Sequence, residues 1–442
     1  MSPARTRAYD ILRRVETEFA YASVLVSALV ESDLSREDRA LAQEIVLGVI
    51  RWRRSLDYFI ERYSGRSIER IDLPVLISLR IGLYQLRFLE RIPQSAAVNE
   101  SVNLVKRARA ASAAGLVNAV LRKAATHLYE EAGKEISDRF ERASIALSHP
   151  RWMLERWEAM LGGDQARQLA LANNLPPVTA FRVNTLRTTP DEVLADLNAK
   201  GVTARGSQIV SGAFVVESGP AAVVNEAARR GLIYVQDEGS QLVSVLLDPR
   251  PRHRVLDLCA APGSKSSHIA ALAQDKARVV ACDIHPHRLN TLRASCERLG
   301  VSSVDALALD ATQALPFDGS QTFDRVLVDA PCSGTGTLRG NPEIKWRLSP
   351  DDLSRLEELQ LSLLESTASR VATGGRLVYS TCSIEPEENE GVIHKFLEGG
   401  ALFRVIEPNE RADLLTAEGF VRTFPHRHQT DGFFAAVLEK TG

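Results

Sequence analysis

The stretch HRVLDLCAAPGSKSSHIAALA, residues 253–273, decides the fold class of this chain. Its first seven residues, 253–259, form a short apolar run that is typical of a buried β-strand. A turn of small residues follows, and KSSHIAALA (265–273) is predicted to be a helix. A strand that enters a helix through a glycine-containing turn is the repeating unit of α/β folds.

Four further apolar segments downstream are predicted to be strands as well. They are ARVVACD (277–283), VDALALD (304–310), FDRVLVD (323–329) and GRLVYST (375–381). A long helix between the last two should begin with Ser349 as its N-cap, Pro350 in its first turn and Asp352 three residues after the cap. This alternation predicts a C-terminal Rossmann-like α/β domain over residues 231–442, with a mostly parallel, doubly wound sheet.

Residues 1–140 have a different pattern. Leu76, Leu79, Leu83 and Leu86 recur at helical spacing, and no alternating strand pattern interrupts this region. We therefore predict an all-α bundle of several amphipathic helices at the N-terminal end of the chain.

The segment between these two regions, 141–230, is predicted to contain a linker helix and a small α/β module. VTAFRVNT (178–185) has the composition of a strand and follows the breaker LPP. A helix over 189–201 should follow, because Thr189 suits the N-cap position and Glu192 can close a capping box.

The composition is that of a folded, soluble protein. The 442 residues are enough for two or three domains, and 45% hydrophobic with 25% charged residues is not the composition of a disordered chain. No apolar run reaches the length of a membrane span, and no signal-peptide pattern follows the basic N-terminus. We expect a cytoplasmic protein with no membrane partner.

The cysteines argue against a disulfide scaffold and against a metal site. There are five of them, an odd number, and no pair has the close spacing of metal ligands. Reduced thiols fit the cytosol, and we predict no bound metal.

The charge of the chain is unevenly distributed. Residues 1–130 carry 20 Lys and Arg against 15 Asp and Glu, whereas the rest carries 34 against 41. The basic clusters RWRR (51–54) and KRAR (106–109) lie in the positive part and could contact phosphates. Taken alone, such clusters are more often the solvated faces of helices, and both interpretations stay open at this point.

Polar residues follow the first three predicted strands of the C-terminal domain. The small residues of the first turn, CAAPGSK (259–265), allow the backbone of the turn to approach a ligand closely. A helix N-terminus with unpaired N–H groups follows this turn. The turn matches neither the GxGxxG pattern of dinucleotide sites nor a Walker loop. Asp283 and Asp310 end the next two strands, where acids accept hydrogen bonds from ribose or stand beside a base. Each acid alone could be an ordinary turn residue.

Two thiols follow the last two strands, in the turns DAPCSG and STCS. If those strands are neighbours, they lie about 5 Å apart, and Cys332 and Cys382 would open on one pocket beside Asp329. A cysteine alone is more often inert packing. Two thiols and an acid, however, suit methylation at carbon 5 of a pyrimidine, in which a thiolate adds to carbon 6 and an acid stabilises the activated ring.

These motifs together resemble the RNA cytosine-5 methyltransferases that use S-adenosylmethionine. The resemblance rests on DLCAAPGSK (257–265), VDAPCSGTG (328–336), NPEIKW (341–346) and YSTCS (379–383), which EPEENE follows. NAVLRKA (118–124) and the helical N-terminus are similar to the NusB-like RNA-binding domain of the bacterial members, and the match covers nearly the whole chain.

The resemblance implies methylation of carbon 5 of a specific cytidine in 16S ribosomal RNA by a cytoplasmic monomer that does not act on DNA. The RNA could be free or part of an early assembly intermediate. The 1–140 bundle and the small α/β module would both contact RNA, and residues 231–442 would be the methyltransferase domain.

The resemblance also implies a role for each site residue. Cys382 would attack carbon 6, Cys332 would assist proton removal and release, and Asp329 would stabilise the activated base. DNA cytosine-5 methyltransferases use the thiol after the proline instead, and the second motif, STCS, argues against that class. The residues implied in cofactor binding are Cys259, Ala260, Ala261, Pro262, Gly263, Ser264, Lys265, Asp283, Asp310 and Asp329. Many members have a second glycine where this chain has Ser264.

Two other functions compete with this one. A non-catalytic RNA-binding or assembly factor would keep the fold but lose Cys382 or Asp329, and both are present. A methyltransferase for a protein or a small molecule would explain the cofactor turn, but not the paired thiols or the basic helical region.

Overall fold

A computed structural model describes the backbone of residues 1–442 and every side chain except those of Glu31, Asn409 and Glu410. The chain divides into two units. The first comprises Met1–Pro176 and Leu338–Arg347, and the second comprises Pro177–Thr337 and Leu348–Gly442.

The first unit is all-α, as its helical spacing predicted. Its most enclosed helix is Leu73–Phe88, in which every residue from Val75 to Leu86 is buried. A helix that is buried on all sides must be surrounded by others, which is why its sequence is apolar nearly all round. The α-helices of this unit are Pro3–Thr17, Ala22–Ser27, Arg36–Arg51, Arg53–Ser64, Leu73–Phe88, Gln94–Arg107, Ala114–Ala125, Arg139–Leu147, Arg151–Leu161, Gly163–Asn173 and Ile344–Arg347.

The inserted segment, Leu338–Arg347, is part of the first unit although it lies far along the chain. Its Lys345 is fully buried, and its ammonium group donates to the carbonyl oxygens of Arg51 and Ser148, both at 2.8 Å. Arg51 is the last residue of a helix, where carbonyl groups lack partners within the helix. Burial lowers the pKa of Lys345 well below its ordinary value, and the nearby Arg51 charge adds to this effect.

The second unit begins with a four-stranded antiparallel sheet in the order β2-β3-β1-β4. Helices Pro190–Ala199 and Ala221–Arg229 share an apolar core with this sheet. The predicted capping box is confirmed, because Thr189 and Glu192 bond to each other's backbone N–H groups. The strands are β1 (Ala180–Val183), β2 (Thr203–Gly206), β3 (Ala213–Ser218) and β4 (Ile233–Val235).

The second sheet of this unit has eight strands and is mostly parallel, as predicted. Along the sheet the order is β10-β12-β9-β8-β5-β6-β7, and β11 pairs with β12. Neighbours from β9 to β7 are parallel, whereas β10, β11 and β12 add antiparallel pairs. The strands are β5 (Arg254–Leu258), β6 (Arg278–Asp283), β7 (Val304–Ala308), β8 (Phe323–Asp329), β9 (Val371–Thr381), β10 (Phe403–Val405), β11 (Val421–Arg422) and β12 (Phe434–Lys440).

Helices connect the parallel strands of this sheet. The one that was predicted between the last two begins at Pro350, and Asp352 accepts a hydrogen bond from the Ser349 N–H group at 2.8 Å. The helices of this part are Glu238–Leu246, Ser264–Leu272, Pro286–Leu299, Pro350–Ala368, Glu390–Glu398 and Pro425–His428. In the part of the chain that the structure describes, no helix is long and apolar enough to cross a membrane.

The two units do not coincide with the division predicted at residues 140 and 230. The region that was predicted to hold a single linker helix contains helices up to Gly163–Asn173, and these belong to the first unit. The small sheet belongs with the large one, because polar contacts join them: the Asn184 amide donates to the carbonyl oxygen of Leu299 at 2.8 Å. The sequence pattern predicts where elements lie, but not which of their surfaces meet.

Candidate active site

Five parallel strands end at the same edge of the large sheet, and every predicted site residue lies at that edge. In spatial order the strands are β9, β8, β5, β6 and β7. Cys382 follows β9, Asp329 ends β8, Cys259 follows β5, Asp283 ends β6 and Asp310 follows β7. The carboxyl ends of parallel strands are where α/β sheets bind their ligands.

The two thiols are in contact, as expected if the strands that precede them are neighbours. The Sγ atoms of Cys332 and Cys382 lie 3.3 Å apart, and both residues are free and half-buried. The hydrogen bond to Cys382, burial and the charge of Glu388 raise the pKa of Cys332 well above its ordinary value. Cys332 therefore stays protonated at neutral pH and can donate its proton towards Cys382.

Asp329 is held by two donors beside the thiols. One carboxylate oxygen accepts from the Lys265 ammonium group at 2.7 Å, and the other accepts from the Ser380 hydroxyl at 2.8 Å. Burial alone would lower the pKa of Lys265, but the charge and hydrogen bond of Asp329 outweigh it and raise that pKa. The Lys265 ammonium group therefore stays charged, and its hydrogen bond together with that of Ser380 sets the orientation of Asp329.

Glu388 is a site residue to which sequence reasoning gave no role. It is completely buried, and its carboxylate accepts from the Ser333 backbone N–H at 2.8 Å and from the hydroxyl groups of Ser333 and Ser383. Ser333 follows Cys332 and Ser383 follows Cys382, so one carboxylate holds both thiol-bearing turns. The acidic run EPEENE was a signal, but five of its six residues are polar and nothing in the run shows which of them turn inward.

The turn after β5 is shaped by its glycine and fastened to β6. Gly263 has φ +96°, and a Cβ atom there would lie 2.7 Å from Leu292 Cγ, so a larger residue does not fit. The Ala261 N–H group donates to an Asp283 carboxylate oxygen at 3.2 Å. Ser264 is the first residue of the helix Ser264–Leu272, where a serine is easily accommodated.

The acids beside this turn provide acceptors for a ligand that carries donors. Asp310 is exposed, whereas Asp283 is 4% exposed and bonds to local backbone groups. Asp257, on β5, is fully buried: its Oδ2 accepts from the Ser266 hydroxyl, but its Oδ1 has no partner within the described residues. Burial raises the pKa of Asp257 to about 7. S-adenosylmethionine, with its ammonium and ribose hydroxyl groups, fits this set of acceptors.

The basic residues of the two clusters in the first unit differ in their burial and in their contacts. In RWRR, Arg51 is buried and donates to the Arg339 carbonyl oxygen, and Arg54 pairs with Glu141. These arginines serve internal packing. In KRAR, Lys106 and Arg109 are exposed, as a surface that meets phosphates would require.

Three family models match successive parts of the chain. The model described as 16S rRNA methyltransferase RsmB/F matches residues 244–439. The NusB family model matches residues 2–126, and the ferredoxin-like domain model of RsmF/B-like methyltransferases matches residues 149–223.

Full-length similarity accompanies these matches. A probable ribosomal RNA small subunit methyltransferase B of Bacillus subtilis is 34% identical and covers 99% of both chains. A protein of the same description from Synechocystis is 36% identical over 100% of both. The solved structure of PH0851 is 30% identical, covers 100% of this chain and 99% of its own, and superimposes with a TM-score of 0.86.

Proposed function

Because the chain belongs to the 16S rRNA methyltransferase RsmB/F family, we propose that it methylates carbon 5 of a cytidine in 16S rRNA through a covalent adduct with Cys382. The predicted NusB-like bundle and the predicted rRNA methyltransferase domain are confirmed, and the predicted small α/β module matches a ferredoxin-like domain of this family. The observation that supports the covalent route is the pair of Sγ atoms 3.3 Å apart, beside Asp329.

S-adenosylmethionine is the cofactor of this methyltransferase, and it supplies an electrophilic methyl group when bound. We propose that residues 259–265 hold its methionine part, that Asp283 accepts from its ribose hydroxyls and that Asp310 stands beside its adenine. The buried acceptor of Asp257 and the narrow turn at Gly263 support this assignment.

In the first step Cys382 adds to carbon 6 of the cytosine. The thiol proton passes through Asp329 to ring N3, the Sγ–C6 bond forms, and the electron pair of the C5–C6 double bond makes carbon 5 nucleophilic. The Lys265 ammonium and the Ser380 hydroxyl keep Asp329 in place for this transfer. With S-adenosylmethionine bound, carbon 5 would take its methyl group as the bond from the sulfonium sulfur to that methyl group breaks, and S-adenosylhomocysteine would leave.

In the second step Cys332 gives its proton to one partner and takes up a proton from another. Cys332 gives its proton to the Cys382 sulfur as the Sγ–C6 bond breaks, and the Cys332 thiolate takes the proton from carbon 5. The raised pKa of Cys332 makes its thiolate a strong base. The proton on N3 leaves through Asp329, so both thiols are regenerated and one proton is released per methyl group.

We expect Cys382→Ala to lower methyl transfer from labelled S-adenosylmethionine to unmethylated 16S rRNA by at least about a thousandfold, because the nucleophile is lost. Cys332→Ala should allow attack but stall release, so that a denaturation-resistant protein–RNA adduct accumulates. Gel electrophoresis under denaturing conditions and mass spectrometry of the RNA for 5-methylcytidine measure both effects.

The buried Cys296, on helix Pro286–Leu299, provides the matched control. Cys296→Ala should keep full activity and trap no adduct. If instead Cys332→Ala abolishes attack and Cys382→Ala traps the adduct, the roles of the thiols are reversed and the mechanism is of the DNA-enzyme type. A methylated product other than 5-methylcytidine would contradict the reaction itself.

The proposal includes the setting of the reaction. We infer a monomer that works in the cytoplasm on 16S rRNA, either free or in an early assembly intermediate. Methylation rates on naked rRNA and on purified small subunits distinguish these substrates, and sedimentation of the protein gives its oligomeric state.

A further inference from the structure

The first unit contains a cavity of about 260 Å³ that the proposed reaction does not use. The inserted segment supplies part of its wall through Glu343, Trp346 and Arg347, and the loop after helix Pro3–Thr17 supplies Phe19. Three of these residues belong to or directly follow the NPEIKW motif, whose side chains have no role in the methyl transfer.

One of the two carboxylate oxygens of the buried Glu343 has no hydrogen-bond partner within the described residues. Glu343 is 1% exposed, and its Oε1 accepts from the Ala22 N–H group at 2.9 Å, whereas its Oε2 has no partner within the described residues. Burial raises the pKa of this carboxyl group. An unpaired polar atom in the wall of a cavity is unfavourable unless a ligand completes its hydrogen bonds.

Exposed aromatic rings stand beside this acceptor. Phe19 is 73% exposed and has φ +52°, a backbone conformation that a bulky residue rarely adopts, and Tyr21 is 59% exposed. The Arg347 guanidinium lies 6.0 Å from the Phe19 ring centre and 5.5 Å from that of Tyr21. It also donates to the Ala20 carbonyl oxygen at 2.7 Å, which keeps the loop in this shape.

The charges of the cavity are balanced. Arg80 pairs with Asp57 and Glu16, and Arg53 lies 3.5 Å from Glu16 and 5.8 Å from the centre of the Trp346 ring. The wall therefore has no cluster of unpaired cations that would capture a phosphate. Flat rings, guanidinium planes and one acceptor are instead the groups that bind an unstacked RNA base.

We propose that this cavity binds one unstacked base of the rRNA substrate, at a nucleotide other than the target cytidine, with Glu343 Oε2 accepting from the amino group of the base. The proposal rests on the rRNA specificity proposed above. Adenine, cytosine and guanine carry such an amino group, whereas uracil offers only its ring N3–H group as a donor. The ring stacks against Phe19 or Trp346.

The test measures binding of unmethylated 16S rRNA to the full-length protein over a series of salt concentrations. Phe19→Ala removes a stacking surface, and Glu343→Gln turns an amide N–H group towards the cavity in place of the acceptor. Each should weaken the Kd roughly tenfold. Because a base contact releases no counterions, the slope of log Kd against log salt concentration should stay as in the unmodified protein.

Three controls make the result specific. Tyr129→Ala removes a fully exposed aromatic ring of the same unit that does not line the cavity, and it should leave the Kd unchanged. Phe19→Trp keeps an aromatic ring at this position, so its Kd should equal that of the unmodified protein, in contrast to Phe19→Ala. Thermal denaturation checks that each variant is folded, and ultraviolet crosslinking with mass spectrometry should find RNA attached at Phe19, Tyr21 or Trp346.

The proposal fails if Phe19→Ala and Glu343→Gln bind naked rRNA as the unmodified protein does. It also fails if they lose affinity only for a partly assembled subunit, which would indicate a protein ligand. At saturating RNA the variants should keep their rate of methyl transfer and raise only the KM. A failure of the Cys382 experiment would leave this binding result intact, so the two proposals can be judged separately.

Discussion

Single residues decide which of the two thiols can act in which step. Cys332 and Cys382 occupy equivalent positions at neighbouring strand ends, and the pKa of Cys332 is raised well above its ordinary value. Its proton is held by the contact with Cys382, by burial and by the nearby Glu388 charge. Cys332 is thereby suited to pass a proton, and Cys382 is left as the nucleophile of the proposed mechanism.

Glu388 is expected to position both thiols without touching the substrate. Glu388→Gln keeps the shape of the side chain but replaces one acceptor oxygen with a donor, so the Ser333 N–H group and the two hydroxyl groups cannot all keep their acceptors. We predict a fall in kcat of roughly 10- to 100-fold with little change in KM, measured by methyl transfer. Glu365→Gln, at an exposed position of helix Pro350–Ala368, should have no effect. An equal loss in both variants would contradict a positioning role.

Among the secondary-structure elements, the turn between β5 and helix Ser264–Leu272 has a backbone shape that depends on Gly263. Gly263 adopts a left-handed conformation, and Leu292, on the next helix, occupies the space that a Cβ atom at this position would need. Asp283 fastens the same turn to the end of β6. The turn is thus set by the two elements next to it before any ligand binds.

Gly263→Ala should weaken the binding of S-adenosylmethionine at least tenfold, because the added Cβ atom displaces the turn or Leu292 and adds about 1–3 kcal/mol of backbone strain. Calorimetric titration with the cofactor measures the effect. The matched variant is Ser264→Gly, which introduces the second glycine of the family pattern at a position that tolerates either residue. It should bind normally, and equal losses in the two variants would show that the cofactor does not depend on the shape of this turn.

At the scale of the whole molecule, the first unit is built from two distant stretches of the chain. The inserted segment follows the turn that carries Cys332, yet its side chains complete the helical unit. Lys345 donates to Arg51, Ser148 and Asn174, which belong to three separate parts of that unit. The helical bundle is therefore not complete within residues 1–176.

Lys345→Met should lower the stability of the full-length protein by about 1–3 kcal/mol, because buried oxygen atoms lose their donor. Chemical denaturation followed by circular dichroism measures the change. Lys106→Met removes an exposed lysine of the same unit and should be neutral within about 0.5 kcal/mol. A neutral Lys345→Met would mean that water or neighbouring groups replace the missing donor.

Local patterns in the sequence were enough to predict the class of each domain and most of its helices and strands, and they predicted the candidate site residues. Apolar periodicity is local, so it showed the helices of the first unit, β5 to β9 and the capping boxes at Thr189 and Ser349. The motifs around Cys332 and Cys382 determined the family. Glycine and acidic residues at strand ends indicated the cofactor turn, because strand–turn–helix geometry depends on residues near each other in the chain.

Tertiary structure alone decided which surfaces meet. It assigned Leu338–Arg347 to the helical unit and joined the small sheet to the large one. It turned Glu388 inward from an acidic run, and it left Glu343 Oε2 buried without a donor beside exposed aromatic rings. Burial, hydrogen-bond partners and pKa values depend on atoms brought together from distant parts of the chain, and no local pattern of residues records them.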